Sequence, residues 1–482
     1  MPSSELTIGY VGAHLPSYYA REHDVFARSI EGLERLGRSL GFRLHVEPEP
    51  VVSADDAVRA RQRMEAAGVD FVLLQSSSFA MGDVVREFAR GRARLGLWGV
   101  PEPTREGPIL LNTFVSLNIN ASIVSRFVKG PPVPYKWFWG DVDDRWMGPR
   151  LAVTVRALRA LKRLAHARIG WVGDLAPTFF NLVFDARSVE ARLGTRIHAH
   201  QLSELVDRTL AVPDAAASRA ADGFLREVRA SEVPAEQVER AGALSVAMRT
   251  FAADYGYDAL AVSCWPQFQT DLGIAPCVAY SWLNEHDGMP VSCEGDAVGA
   301  MSMLMMNEIN GDQSMLLDMN EVDEATGAIM MWHCGVAPAR FADAAGVTLK
   351  HHSTLGRKSD VPPAGVVVDF VFAPQPVTIT RIADDGRQLL IVEADIVAGP
   401  SRGFDGSRGW VANFRINHVP VSVADVVNTV MAEGLEHHFV VGRGHHADAL
   451  SELATWAGMK PIEAVPYRDY LQLGSRMDDP ER

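Results

Sequence analysis

The stretch Val291-Ser-Cys-Glu-Gly-Asp-Ala-Val-Gly-Ala300 places two acids in one of the most apolar regions of the chain. Further along the chain, Asp318 and His333 interrupt other apolar segments. An isolated carboxylate is costly to bury, and the cheapest partner for several of them is a cation. The sequence therefore predicts a metal site in the interior of the fold, built from Glu294, Asp296, Asp318 and His333.

Size and charge narrow the class of protein. A chain of 482 residues predicts about three domains. The formal charge of -14 disfavours nucleic acid or an anionic membrane as the main partner and favours a small or metal-bound ligand. We recognise no signal peptide at the N-terminus and no apolar run long enough to span a bilayer, so we expect a cytoplasmic protein.

Short apolar strands alternate with amphipathic helices over the first 100 residues, which indicates a parallel sheet covered on both faces. The pattern predicts strands at 6–12, 42–46, 71–75 and 95–100 and helices at 24–41, 53–67 and 82–94. Between 101 and 145 the pattern dissolves into Pro, Gly and aromatic residues, which we interpret as a crossover to the next domain. This gives a first domain over 1–145.

A second α/β domain is predicted over 146–311 and a different domain over 312–482. The second has a helix over 146–166, strands at 168–173, 196–200 and 258–264, and polar helices over 203–256. The third alternates strands at 327–334, 365–373, 376–383 and 387–397, with a glycine-rich loop at 398–409 and closing helices at 422–433 and 447–458. The predicted fold class is α/β, with two Rossmann-like parallel-sheet domains followed by an antiparallel β domain.

The candidate metal ligands stand at the polar tips of apolar segments. Glu294 follows a short strand, Asp318 follows Met315–Leu317, and His333 ends another apolar run. In Glu436-His-His-Phe-Val-Val441, alternation along a strand would let only one of the adjacent histidines, His437 and His438, point at the site. Carboxylates with imidazoles suit manganese first, then cobalt, magnesium or iron. The structural alternative for each acid is a helix cap or a pair with an arginine.

Candidate substrate contacts follow from the same logic. In parallel sheets ligands sit beyond the carboxyl ends of strands, which points to Gln75, Trp265 and Gln267. Arg415, with Arg402 and Arg408, could hold an anionic group, and His437 is a further candidate substrate contact. The histidine pairs at 351–352 and 445–446 stand near loops and are expected to be solvated. The cysteines fit no zinc spacing and are expected to be small buried hydrophobes: Cys264, Cys277, Cys293 and Cys334.

The sequence resembles the L-fucose isomerase and L-arabinose isomerase family. The resemblance is dense over 258–338 and good over 434–465, and it is carried by Cys264-Trp-Pro-Gln-Phe-Gln269, Gly273-Ile-Ala-Pro-Cys277, Leu283-Asn-Glu285, Met289-Pro-Val-Ser-Cys-Glu-Gly-Asp296, Gly311, Asp318, Glu436-His-His-Phe439 and Pro461-Ile-Glu-Ala464.

The resemblance implies a set of roles. Glu294 and Asp318 would bind manganese and act as acid and base, with His438 and His333 completing the metal set and His437 as a neighbour that could replace His438. It also implies a homo-oligomer, a hexamer or a trimer-based assembly, in which the active site lies between subunits.

The expected activity is therefore a metal-dependent aldose–ketose isomerisation through a cis-enediol, on an open-chain sugar of the L-fucose or L-arabinose kind. Two alternatives remain open: an isomerase for a charged sugar such as a sulfosugar, and a non-catalytic cytoplasmic sugar-binding protein.

Overall fold

The alternating strands and helices of the N-terminal region form a parallel sheet in the structure, a computed structural model that describes residues 5–355, 364–400 and 402–475. Contacts divide the chain into two units, Met1–Lys162 and Arg163–Arg482. The division into three domains at 145 and 311 stays a prediction. Within the first unit the three central strands are buried along nearly their whole length, which is why they appear in the sequence as short apolar runs.

The first unit has the strand order β2-β1-β3-β4-β5. Its strands are β1 Thr7–Ala13, β2 Arg43–Val46, β3 Phe71–Ser76, β4 Arg94–Gly99 and β5 Tyr135–Trp139, and its helices are α1 Val25–Leu40, α2 Ala54–Ala66, α3 Gly82–Phe88 and α4 Thr113–Phe127, followed by α5 Gly148–His166.

The crossover segment 101–145, for which the sequence predicts no helix or strand, contains α4 and β5. The buried face of α4 carries polar side chains, which hides its helical periodicity. Ser116 accepts a hydrogen bond from Ser76, and Asn120 donates to the same serine. β5 is an edge strand beside β4, rich in aromatic residues and only partly buried. The helix expected over 82–94 ends earlier, at Phe88.

The second unit begins with another parallel sheet, in the order β10-β9-β6-β7. Its strands are β6 Arg168–Val172, β7 Arg196–His200, β9 Ala259–Val262 and β10 Val291–Ser292. The short strand β8 Ala230–Ser231 belongs to the larger sheet described next. The helices of this region are α6 Ala186–Leu193, α7 Leu202–Leu210, α8 Asp214–Glu227, α9 Ala235–Tyr255, α10 Cys277–Asp287 and α11 Ala297–Asn310. The predicted pair of parallel-sheet α/β regions is therefore confirmed.

A mixed, mostly antiparallel sheet fills the rest of this unit, as predicted for the C-terminal region. Its elements are β11 Met315–Asp323, β12 Ala328–His333, β13 Thr348–His351, β14 Gly365–Val371, β15 Gln375–Ala383, β16 Gln388–Val397, β17 Ser407–Ile416, β18 Val419–Pro420, β19 His438–Arg443 and β20 Lys460–Pro461, with helices α12 Val423–Ala432 and α13 Ala447–Ala457. The glycine-rich loop is shorter than expected, because β17 begins at Ser407.

Part of this sheet closes on itself. Strands β16, β15, β19, β11, β12 and β17 pair antiparallel in that order, and β17 pairs again with β16. Helix α11, apolar on nearly all sides, packs against β19 and β15 and explains why the sequence around Met301–Met306 is so hydrophobic. Among the described residues no helix combines the length and hydropathy that crossing a lipid bilayer requires.

Candidate active site

Neighbouring strands of the second unit bring the sequence-predicted acids and histidines together. His438, the first residue of β19, lies opposite Asp318 of β11, and Asp318 lies opposite Trp332, next to the end of β12. Glu294 follows β10 and precedes α11. We call the five side chains that meet here the acid–histidine cluster: Glu294, Asp318, His333, His437 and His438.

The backbone at Glu294 is unusual. Glu294 has a φ of 60° and Gly295 a φ of 75°, so two successive residues adopt the left-handed conformation. A Cβ at Gly295 would lie 2.2 Å from the carbonyl oxygen of Asp174, so only glycine fits there. Left-handed backbone costs a non-glycine residue about 1–2 kcal/mol. The turn that these residues form directly after β10 places Glu294 at the carboxyl edge of the parallel sheet.

The polar atoms of the cluster lie close together around one imidazole. His438 Nε2 lies 3.3 Å from His333 Nε2, 3.5 Å from Glu294 Oε2 and 3.8 Å from Asp318 Oδ1. His438 and His333 are almost completely buried. The residues predicted from four separate sequence segments therefore share one small volume.

Asp296 fixes the orientation of His438. Its Oδ2 accepts from His438 Nδ1 at 2.9 Å and from the guanidinium of Arg381 at 2.7 Å, and its Oδ1 accepts from the backbone N–H of Gly299. A proton on His438 Nδ1 leaves the Nε2 lone pair directed at the other cluster members. Asp296 is therefore a helix cap and an arginine partner, which is the structural alternative stated for the acids of this region.

Arg381 and Glu436 were not recognised from the sequence. Arg381 is fully buried, donates to Asp296 and to the His438 carbonyl, and ion-pairs with Glu436 at 3.1 Å. The sequence feature that could have identified Arg381 is its position as a single arginine within the apolar strand Val377-Thr-Ile-Thr-Arg-Ile382. A charge in such a strand needs a buried acid as partner.

The pKa values of the two aspartates are shifted in opposite directions, because Asp296 has an arginine partner and Asp318 does not. Burial raises the pKa of Asp318, and the surrounding imidazoles offset it only in part. Burial also disfavours the charged form of Asp296, but the Arg381 charge and the His438 hydrogen bond outweigh it and hold the pKa well below the usual range. Burial lowers the pKa of His333, and the neighbouring Cys334 thiol and the Asp318 and Glu294 carboxylates outweigh it and raise the pKa.

The donors fit a divalent metal ion. Two sets, Glu294–His333–His438 and Asp318–His437–His438, each have donor atoms within 4.8 Å of one another. The buried Oδ1 of Asp318 has no hydrogen-bond partner among the described residues, so an acceptor faces the cluster unsatisfied. Oxygen and imidazole ligands suit manganese, cobalt or iron, as the sequence indicated.

The inference that only one of the adjacent histidines can reach the site is wrong. β19 begins at His438, so His437 precedes the strand and strand alternation does not apply to it. The Asn181 amide lies 2.9 Å from His437 Nδ1, and His437 Nε2 lies 3.0 Å from Glu294 Oε2. A donor at Nδ1 leaves the ring proton on Nε2, where it is donated to Glu294. His437 therefore orients the Glu294 carboxylate.

Two predicted substrate residues lie beside the cluster. The Trp265 ring lies edge-on to Phe179, whose ring lies 5.1 Å from that of His437. Exposed Gln267 lines a cavity of about 420 Å³ together with Trp171, Asp174 and Ser203. Because the Asp174 carbonyl packs against Gly295, this cavity adjoins the segment that carries Glu294.

The other predicted substrate residues have different surroundings. Gln75, in the first unit, is fully buried; its amide accepts from Tyr10 and donates to Ser29. Arg415 lines another cavity, with Asp395 and Asn413, to which no cluster residue contributes. Arg402 ion-pairs with Glu321 and Arg408 with Asp369. The substrate roles of Gln75 and Arg415 stay predictions.

Comparison with known proteins gives the class of activity. No family model matches the chain. A sulfoquinovose isomerase from Priestia aryabhattai is 27% identical over 414 residues, covering 85% of this chain and 89% of the relative. A sulfoquinovose isomerase from Alkalicoccus urumqiensis is 26% identical over 418 residues, covering 84% and 88%.

A solved solute-binding protein from Agrobacterium vitis with bound alpha-D-tagatopyranose covers 64% of this chain and 90% of its own, at 11% identity and a TM-score of 0.18. A likeness that low carries no argument about fold or function. The curated relatives confirm the prediction that the chain is an enzyme, a sugar isomerase.

Proposed function

We propose that this enzyme is a metal-dependent aldose–ketose isomerase whose substrate is a sulfosugar. One observation supports the chemistry above all others: two carboxylates, Glu294 and Asp318, approach the same imidazole nitrogen of His438 at 3.5 and 3.8 Å. A proton shuttle between adjacent carbons needs one group to remove a proton and one to return it.

The ligand set of the proposal is Glu294, Asp318, His333 and His438. A divalent ion bound by these residues would polarise the sugar carbonyl and neighbouring hydroxyl, lowering the barrier to loss of the carbon-bound proton. His438 is ready to bind, because Asp296 holds its proton on Nδ1. His333 Nδ1 accepts a hydrogen bond from the Cys334 N–H at 2.9 Å, so the ring proton of His333 is on Nε2. Metal binding through Nε2 requires this proton to move to Nδ1. There it has an acceptor in Cys334 Sγ, 3.1 Å away.

The carboxylates then carry the proton. We assign Glu294 and Asp318 the roles of acid and base in forming and collapsing a cis-enediol of the open-chain sugar. His437 positions Glu294 through its 3.0 Å hydrogen bond.

The substrate class rests on the relatives. Their names favour the sulfosugar alternative over the L-fucose or L-arabinose type expected first. A homo-oligomer, an active site between subunits and a cytoplasmic location stay predictions from the sequence, and light scattering on the purified protein measures the oligomer directly.

A substrate screen tests the proposal. Sulfoquinovose, L-fucose and L-arabinose are each incubated with the manganese-loaded enzyme, and the ketose product is measured. We expect turnover of sulfoquinovose well above that of the neutral sugars, and its loss after dialysis against a chelator with recovery on adding manganese. Preferred turnover of a neutral sugar would contradict the substrate class, and activity unaffected by chelator would contradict the metal dependence.

A further inference from the structure

The cysteines, which are far apart in sequence, gather in one buried patch of the second unit. Cys277 Sγ lies 3.6 Å from Cys334 Sγ, and the Cys293 thiol contacts those of Cys264 and Cys334. All four are free and buried, as expected of small hydrophobes. Their clustering was not foreseen, because a ligand set drawn from separate elements leaves no short spacing in the sequence.

We propose that Cys277 and Cys334, with His352, form a second metal site that takes a thiophilic divalent ion, zinc being the natural choice. The three donor atoms lie within 4.8 Å of one another. Two sulfurs bound to one tetrahedral zinc at about 2.3 Å are about 3.8 Å apart. The observed separation of 3.6 Å is close to that value and requires little rearrangement.

The three donors come from elements whose ends converge. Cys277 is the first residue of α10. Cys334 directly follows β12, and His352 directly follows β13. His352, expected to be solvated, is instead buried.

The thiols are the primary ligands of this site. His352 Nδ1 accepts from the backbone N–H groups of Thr354 and Leu355, at 3.2 and 3.1 Å. A metal must replace these hydrogen bonds or displace the proton from Nε2, so His352 is the weaker donor. Soft sulfur ligands favour zinc over manganese, whereas the acid–histidine cluster offers oxygen and nitrogen, so the two sites would select different metals.

The two sites are neighbours and meet at Cys334. Cys334 Sγ lies 3.1 Å from His333 Nδ1, so one side chain would bind zinc and at the same time face a histidine of the acid–histidine cluster. The inference does not rest on the proposed isomerase mechanism, and its test needs no turnover.

Cobalt titration of the full-length protein tests this site. Cobalt bound to thiolate gives an intense charge-transfer band in the near ultraviolet, which oxygen and imidazole ligands do not give. We expect the wild-type band to saturate at one cobalt per chain, to vanish on adding zinc, and to disappear in Cys277→Ser and Cys334→Ser. Cys264→Ser is the matched control, a buried thiol of the same patch outside the ligand set, and should keep the band.

Further variants separate this site from the other cluster. Glu294→Gln should keep the cobalt band, and its loss there would overturn the inference. So would an absent wild-type band, or a band that survives in Cys277→Ser but is lost in Cys293→Ser. Should the cysteine variants fail to fold, X-ray absorption on the zinc-loaded wild-type protein decides: sulfur scatterers at about 2.3 Å support the site, and a shell of only oxygen and nitrogen overturns it.

Discussion

A buried amide in the first unit and a half-buried carboxylate in the second differ in how completely their hydrogen bonds are satisfied. In the first unit Gln75 Oε1 accepts from Tyr10 and Ser77, and its Nε2 donates to Ser29. In the second unit Asp318 presents a buried Oδ1 without a hydrogen-bond partner among the described residues. A group whose bonds are complete supports the fold, whereas an unsatisfied buried acceptor among other donors marks a place where something binds.

The same contrast exists within the second unit between its two aspartates. Asp296 is completely satisfied by an arginine, a histidine and a helix N-terminus. Asp318 is surrounded by imidazoles and another carboxylate. We interpret Asp296 as the support of the site and Asp318 as part of its chemistry.

The largest expected effect comes from Glu294→Gln. The substitution keeps the shape of the side chain but removes the proton carrier and a metal ligand, so we expect kcat to fall by at least about 10²–10⁴-fold. Circular dichroism and the melting temperature should stay close to the wild type. Glu324→Gln, at an exposed acid before β12, is the control and should keep full activity. Near-normal turnover of Glu294→Gln would remove Glu294 from the mechanism.

The next effect separates the two aspartates by stability. Asp296→Asn leaves the buried Arg381 without its main counter-charge, which should cost about 3–5 kcal/mol in the free energy of unfolding. Asp318→Asn neutralises a half-buried carboxylate whose buried Oδ1 has no hydrogen-bond partner among the described residues, so the metal-free protein should be as stable as the wild type or more stable. Urea denaturation with chelator present measures the free energy of unfolding of both variants. Equal losses would contradict the division between support and chemistry.

A second readout concerns metal binding by the Asp296 variant. Because Asp296 orients His438, we expect Asp296→Asn to weaken manganese binding about 10–100-fold, measured by calorimetry. An unchanged affinity would mean that the hydrogen bond to His438 has only a structural role.

Gln75→Leu tests the first-unit network. Removing the amide leaves the Tyr10 and Ser29 hydroxyls without their partner, at a cost of about 1–3 kcal/mol. If the network is structural, the melting temperature falls while KM for the sugar stays unchanged. A raised KM at unchanged stability would instead support the substrate contact predicted for Gln75.

The sequence predicted most of this site because costly residues are conspicuous. Glu294, Asp318, His333 and His438 interrupt apolar runs, and a buried charge in an apolar run requires an explanation. The same reasoning could not decide what satisfies each acid, because partners such as Arg381 come from strands distant in sequence. The sequence alone therefore could not show that the partner of Asp296 is Arg381.

The other features that the sequence did not predict have local causes. Helix α4 was hidden because Ser116 and Asn120 occupy its buried face, so a polarity pattern could not reveal the face. His437 was judged by strand alternation, although it lies one residue before the strand. The thiol patch joins residues from four segments, and no spacing rule detects contacts made only by tertiary packing.

The smallest expected effects compare matching helix caps in the two units. Ser53 caps α2 with Asp56, and Ser422 caps α12 with Asp425, each as a reciprocal capping box. Alanine at either serine should cost about 1 kcal/mol at neutral pH without changing turnover. Loss of activity in either variant would point to a role beyond capping.

The pH dependence of these caps sharpens the comparison. The hydrogen bond from Ser53 lowers the pKa of Asp56. Burial raises the pKa of Asp425, but hydrogen bonds from the Tyr467 N–H and from Ser422 outweigh it and lower the pKa. Because both folded pKa values lie below the unfolded value of about 4, each carboxylate stabilises above that pH and loses its contribution as the pH falls through the folded pKa. We therefore expect the loss in the free energy of unfolding caused by each alanine substitution to become smaller as the pH falls from 7 to 3. Urea denaturation at each pH measures this loss. A loss that does not depend on pH would mean that the serine acts without its aspartate.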